Sequence, residues 1–236
     1  RNFNYMNNVI ASANVVNACV NNNVKKLVFT SSMDVYGSAY EPPYTEEMVP
    51  VPEDPYGIAK YTVEQDIKAA NRLFGLNYTI VRPHNVFGIY QNIWDKYRNV
   101  IGIWIRQTLS DQPITIYGDG SQTRSFCYVD DLIEAIYKFG FSNEVGPINI
   151  GNPGEFTIAD LASIICKKVG KGYVIHSPPA IDDPKQRKPD ITKAKSLLNW
   201  EPKVPLYDGL EKTIEYFRSV TCQKQTDVTE LSGASS

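Results

Sequence analysis

A tyrosine and a lysine stand four residues apart in "DPYGIAKYTVEQ", residues 54–65. Asp54 is a good N-cap and Pro55 a good first helical residue, so Tyr56 falls in the first turn of a helix and Lys60 one turn further on the same face. An ammonium within about 4–6 Å of a phenol favours the phenolate, which makes a general base able to take a proton from an alcohol. The same spacing also arises between two residues that merely share a helix face. The neighbouring sequence favours chemistry. About 24 residues upstream, "VFTSSMDVYG" sets Ser31 and Ser32 at the end of an apolar, β-branched run. A second such run ends in "RPHNVFG". In doubly wound sheets ligands sit just outside the carboxyl ends of the strands, so these segments open toward one crevice.

The elements that must position these residues follow a regular rhythm. Val9, Ala13, Val16, Ala18 and Val20 recur near helical spacing until "NNN" at 21–23. "KKLVFTSS" reads as a buried strand, Tyr56 to about Gly75 as a helix, and "NYTIVRP" as the next buried strand. Helix candidates follow in "RNVIGIWIRQTLS" and "YVDDLIEAIYKFGF", and strands in "ITIYG" and "PINIGN". Two further helices are expected over 157–169 and 206–218, with a Pro- and charge-rich loop over 177–205 carrying a short helix near 192–198. The final "TCQKQTDVTELSGASS" lacks apolar periodicity and predicts a disordered tail. Helices alternating with buried strands give an α/β fold, because parallel strands need crossover helices on their faces.

Composition narrows the function. With 236 residues, 42% hydrophobic and 21% charged, the chain is in the ordinary globular range, and a net charge of −2 offers no footprint for nucleic acid or an anionic membrane. No apolar run is long enough to span a bilayer. Cys19, Cys127, Cys166 and Cys222 have no CxxC spacing, and with only His84 and His176 beside them no metal site is expected. The expected partners are small molecules or further copies of the chain, in a reducing, cytoplasmic setting.

The motifs together resemble the extended short-chain dehydrogenase/reductase family, specifically its nucleotide-sugar epimerases, dehydratases and decarboxylases. The resemblance covers residues 1 to about 218 and rests on "NNV" at 7–9, "SSMDVYG", "PYGIAK", "RPHNVFG", "YRNVIGIWIRQTL", "ITIYGDGSQTRSFCYVDD", "INIGNP" and "DPKQRKPDITKAKSLLNW". It implies a partial doubly wound parallel-sheet (Rossmann-like) domain lacking its first strands, plus a small C-terminal substrate-binding lobe. Residues 1–90 would belong to the NAD-binding domain. Residues 91–220 would be mostly lobe, with about 125–150 returning to the first domain, and 221–236 a tail.

By that resemblance Tyr56 takes the proton of a sugar 4-hydroxyl while hydride leaves C4 for NAD. Lys60 tunes Tyr56 and holds the nicotinamide ribose, Ser32 hydrogen-bonds the same hydroxyl, Asn7 steadies the cofactor and Pro83 passes the nicotinamide. Asn85 and Asn99 match amides that bind the diphosphate and sugar, Thr115 and Tyr117 the strand against the base, and Arg124 the arginine that pairs with the diphosphate. Arg187 is a second candidate for a phosphate or carboxylate. Solvated surface is an equal expectation for Arg98, Lys185 and Lys188, packing the better one for Trp94, Trp104 and Trp200, and a structural role the better one for His84.

Three reactions share oxidation at C4. A 4,6-dehydratase needs an acid and a base for loss of the 6-hydroxyl, which by the resemblance are an Asp-Glu pair directly after the strand-end Thr; this chain has Met33 and Asp34 there, and a thioether cannot donate a proton. A UDP-glucuronate decarboxylase usually has Ser-Glu there. Residues 31–120 resemble UDP-glucose 4-epimerases most, and "GNPGEFTIADLA" with "DDPKQRKPDITKAKSLLNWEPKVPL" resembles the decarboxylases. The expected activity is a 4-epimerase of a UDP-hexose, with decarboxylation the alternative and Asp34 a further catalytic candidate. A non-catalytic sugar-nucleotide-binding module is the reading from another class, and the intact Ser32, Tyr56 and Lys60 set argues against it. No GxxGxxG occurs in the sequence. The resemblance therefore implies that a longer protein begins upstream, that these residues alone are inactive, and that the complete protein is a homodimer.

Overall fold

The computed structural model describes residues 2–95, 99–179 and 185–233, with residues 222–233 as backbone only. The first half of the described chain runs α1 (Asn2–Asn4), a π-helical segment (Tyr5–Ile10), α2 (Ala11–Asn21), β1 (Leu27–Thr30), a 3-10 turn (Met33–Tyr36), α3 (Pro55–Phe74), β2 (Tyr78–Pro83), β3 (Val86–Phe87) and α4 (Val100–Leu109). The second half continues with β4 (Ile114–Tyr117), β5 (Thr123–Ser125), β6 (Cys127–Tyr128), α5 (Val129–Gly140), β7 (Pro147–Ile150), β8 (Glu155–Thr157), α6 (Ile158–Val169), β9 (Val174–Ser177), β10 (Gln186–Arg187), α7 (Thr192–Leu198) and α8 (Leu206–Gly233).

β1, β2 and β7 form a parallel sheet in that order, with Leu27 opposite Tyr78 and Ile80 opposite Pro147. Among the described strands β1 is an edge. Side chains of β2 alternate between the two faces, as a pleated strand requires. Ile80 packs with Val16, Cys19, Val63 and Ile67 of α2 and α3, whereas Val81 packs with Ala135, Phe139, Ile148, Ala194 and Trp200 beneath α5 and α7. Helices therefore cover both faces, which makes this a three-layer α/β unit.

A second core gathers α4, α6 and α8 around β4 through Ile101, Ile105, Ile114, Ile116, Leu161, Ile165, Leu210, Ile214 and Phe217. Around it lie small sheets: β4 parallel to β9, β3 parallel to β6, and β10–β5–β8. The sequence pattern left these two- to four-residue strands unassigned, apart from β4, because so short a run carries no periodicity. α8 extends past the helix expected over 206–218, to Gly233, and no proline or glycine breaks the chain between Gly209 and Gly233.

Candidate active site

β1 and β2 of the main sheet deliver their carboxyl ends to one cleft of about 1600 Å³. β1 contributes Thr30, Ser31 and Ser32, and β2 contributes Pro83 with Asn85 just beyond it. Ser32 leaves the strand in an extended conformation and caps the 3-10 turn, its Oγ accepting from the Asp34 N–H at 3.2 Å and donating to Asp34 Oδ2 at 3.1 Å. α3 starts where the sequence predicts. Asp54 Oδ1 accepts from the N–H groups of Tyr56 at 2.7 Å and Gly57 at 3.1 Å, and Gly75 closes the helix in the left-handed region.

Gly57 explains how Tyr56 comes so near the strand end. A Cβ at position 57 would lie 2.6 Å from the Asp34 carbonyl oxygen, so only glycine allows the first turn of α3 to press against the turn that carries Ser32. Lys60 follows one turn later and reaches under the site rather than lining the cleft. Its Nζ donates to the Thr30 carbonyl at 2.9 Å and stands 5.7 Å from the Tyr56 ring centroid and 5.0 Å from that of Phe29. Burial lowers the Lys60 pKa from its ordinary value.

The remaining predicted residues, Asn7, Asp34, Asn85, Asn99, Thr115, Tyr117, Arg124 and Arg187, all line the same cleft. β5 and β10 pair in parallel with Arg124 directly opposite Arg187, which sets two guanidinium side chains on neighbouring strands of one wall. Arg187 Nη1 donates to Asp34 Oδ1 at 3.1 Å, tying that wall to the turn after β1. Arg124 is largely buried and donates to its neighbour's carbonyl, Thr123 O, at 2.7 Å.

The two amides expected to clamp a diphosphate carry structural work as well. Asn85 Nδ2 donates to Ser125 O at 2.9 Å, while Asn99 caps α4 with Oδ1 and donates through Nδ2 to Val86 O. An amide NH₂ has two hydrogens, so each keeps one beyond these bonds. Asn99 adopts φ 62°, a left-handed conformation that asparagine tolerates better than most residues.

His84 is fully buried, enclosed by Tyr36 and Tyr44, with ring centroids at 6.4 and 6.3 Å, and burial drops its pKa to about 3. It is a packing residue, as expected. Trp104 and Trp200 are buried, and the Trp200 indole donates to Asp131 O at 3.1 Å. Trp94 departs from the packing expectation, being 48% exposed on a loop. Lys188 pairs with Glu155 at 3.0 Å and Lys185 is exposed; Arg98 lies outside the described residues. Sequence reasoning missed Arg106, Gln107 and Gln122, which also line the cleft. Gln107 follows Ile103 by one helical turn, and that spacing from the Asn99 cap was the available signal. Cys127 is buried with its thiol pushed up to about 12, which removes it as a nucleophile.

Residues 2–151 match the model of the NAD dependent epimerase/dehydratase family. The chain belongs to that family. Among curated relatives, UDP-glucuronic acid decarboxylase 1 of Arabidopsis thaliana is 38% identical over 200 residues, covering 82% of this chain and 46% of the relative. The chain thus spans about half the length of the curated relatives it matches. Among solved structures, UDP-glucose 4-epimerase of Thermotoga maritima with UDP-glucose superposes with a TM-score of 0.84 at 34% identity, over 91% of this chain and 70% of the other. UDP-glucuronic acid 4-epimerase of Bacillus cereus, with UDP-glucuronic acid and NAD, gives 0.84 at 32% identity, over 92% and 68%. Family members of this fold carry Rossmann-type, parallel-sheet domains, in agreement with the fold read from the sequence.

Proposed function

We propose that the protein is an NAD-dependent UDP-hexose 4-epimerase working through a 4-keto sugar. The observation that carries this reading is the meeting of Ser32 and Tyr56 on one cleft at the carboxyl end of β1, with the Lys60 ammonium behind the tyrosine ring. Tyr56 Oη takes the proton of the sugar 4-hydroxyl. Ser32 Oγ hydrogen-bonds that hydroxyl and fixes its direction. Lys60, whose Nζ stands 5.7 Å from the Tyr56 ring centroid, lends positive charge to the forming phenolate, as a nearby cation favours the ionised phenol.

The residues present fit a dinucleotide. The Lys60 ammonium has three N–H groups, and Thr30 O engages one, leaving donors for ribose hydroxyls. Asn7 and Pro83 line the cleft, an amide and a flat apolar ring suited to the nicotinamide end. When bound, NAD accepts hydride from C4 and returns it. The neighbouring Arg124 and Arg187 oppose the two charges of a diphosphate with planar donors. Thr115 and Tyr117 of β4 offer a strand edge and an exposed ring to the base. These residues contain no glycine-rich phosphate grip, and we propose that alone they bind NAD weakly and turn over little.

Epimerisation is preferred to 4,6-dehydration because Met33, buried at the cleft beside Ser32, has no proton to give. Decarboxylation of UDP-glucuronate is the second reading. The Asp34–Arg187 pair at the cleft favours it, since Arg187 could exchange its partner for a substrate carboxylate, and the curated relatives lie on that side.

The test is to incubate the full polypeptide as encoded with NAD and either UDP-glucose or UDP-glucuronate and to follow the sugar by NMR. Products inverted at C4 support the first reading, UDP-xylose with CO₂ replaces it by the second, and an NAD-loaded protein inert toward both sinks the proposal. Tyr56→Phe should lower kcat by roughly 10²–10⁴-fold with KM nearly unchanged, because the phenol acts in the transition state.

A further inference from the structure

Tyr56, Lys60 and Glu64 occupy successive turns of one face of α3, and the third of them is completely buried. Glu64 Oε1 accepts from Ser31 Oγ at 2.6 Å and from Arg82 Nε at 3.0 Å, and Oε2 accepts from Arg82 Nη2 at 2.6 Å. Arg82 Nη1 donates to the Tyr36 hydroxyl at 3.0 Å, which donates in turn to Asn149 Oδ1 at 2.7 Å. One carboxylate therefore joins the catalytic helix to the ends of β1 and β2, the 3-10 turn and β7. Ser31, immediately before Ser32, is held twice: its N–H donates to Val81 O at 2.7 Å and its hydroxyl to Glu64.

Stability alone does not account for this arrangement. A buried ion pair is often no more stabilising than an apolar pair of the same volume, because both charges must leave water. What leucine and methionine could not do is fix the rotation and axial position of α3 against the strand end, since dispersion contacts have little direction whereas hydrogen bonds do. We propose that Ser31, Glu64 and Arg82 are positioning residues that hold Ser32 in register with Tyr56. The inference rests on the reaction proposed above. Ser31 acts through Ser32, and Glu64 through the face it shares with Tyr56.

Glu64→Gln leaves the buried Arg82 charge without its counter-ion and threatens the fold, so the Ser31 hydroxyl is the part to remove. In the full polypeptide, Ser31→Ala leaves the Glu64–Arg82 pair intact. It should lower kcat about tenfold, as a sub-ångström misplacement of a reacting group does, with KM within about twofold and Tm within a few degrees. The deciding measurement is the same substitution in a Ser32→Ala background, where the effect should vanish because the residue it positions is gone. A kcat for Ser31→Ala within twofold of wild type, or a fall of equal size with and without Ser32, overturns the inference while the wild-type reaction stands. A wild-type protein inert toward both UDP-sugars removes the reaction and this inference together.

Discussion

Lys60 and His84 have both been drawn out of water, and the chain treats them differently. Lys60 keeps contact with the Thr30 carbonyl and two aromatic rings, so an ammonium there remains solvated by protein. His84 is enclosed by Tyr36 and Tyr44 and its pKa falls to about 3. In the unfolded chain the same imidazole binds a proton below about 6.5. Between those values the unfolded state holds more protons than the folded one, so stability is complete above pH 6.5 and is lost as pH falls toward 3. The loss should reach roughly 2 kcal/mol by pH 5. Glu46, whose carboxyl burial holds above its ordinary value, works in the opposite sense. Thermal unfolding from pH 7.5 to 5 should therefore show Tm declining in the wild type and a flatter course in His84→Leu; equal slopes would count against the assignment.

At the scale of elements, α3 is the part that brings the site together, and its start depends on one cap. Asp54→Ala removes the acceptor for two backbone N–H groups and should cost about 1 kcal/mol, seen as a fall in Tm of about 2–4 °C. A smaller change would mean that Gly57 packing alone holds the first turn. This element was legible in the sequence because its signals are local: Asp54, Pro55, the Tyr56–Lys60 spacing and Gly75 all lie within one stretch. The buried run of β2 was legible for the same reason. Arg124 and Arg187 could be named only by resemblance, since their adjacency depends on β5 and β10, which are too short to show a pattern and meet only in three dimensions. Nor could Glu64 have been found, because a carboxylate on a helix is ordinarily a solvated one and only the fold places Arg82 and Ser31 against it. The capping role of Asn99, with its left-handed backbone, was hidden likewise.

For the whole molecule, apolar side chains remain uncovered on the first helical segment and on α3: Phe3, Met6, Ile10 and Val15 on the former, Leu73 and Phe74 on the latter. Apolar surface of this kind marks interaction sites. We expect two copies of the full polypeptide to associate, with light scattering returning twice the monomer mass; a monomeric mass at micromolar concentration would refute it. A different consequence follows from the pair that ties the β5–β10 wall to the turn after β1. Asp34 and Arg187 are separated by 153 residues. At about 5–20 residues per second, a ribosome delivers the arginine on the order of 8–30 s after the aspartate. Throughout that interval the first wall of the cleft exists without the second. Contacts this distant are also slow to form once the chain is free, so the cleft is completed late in the life of each new molecule, well after β1, α3 and β2 have left the ribosome.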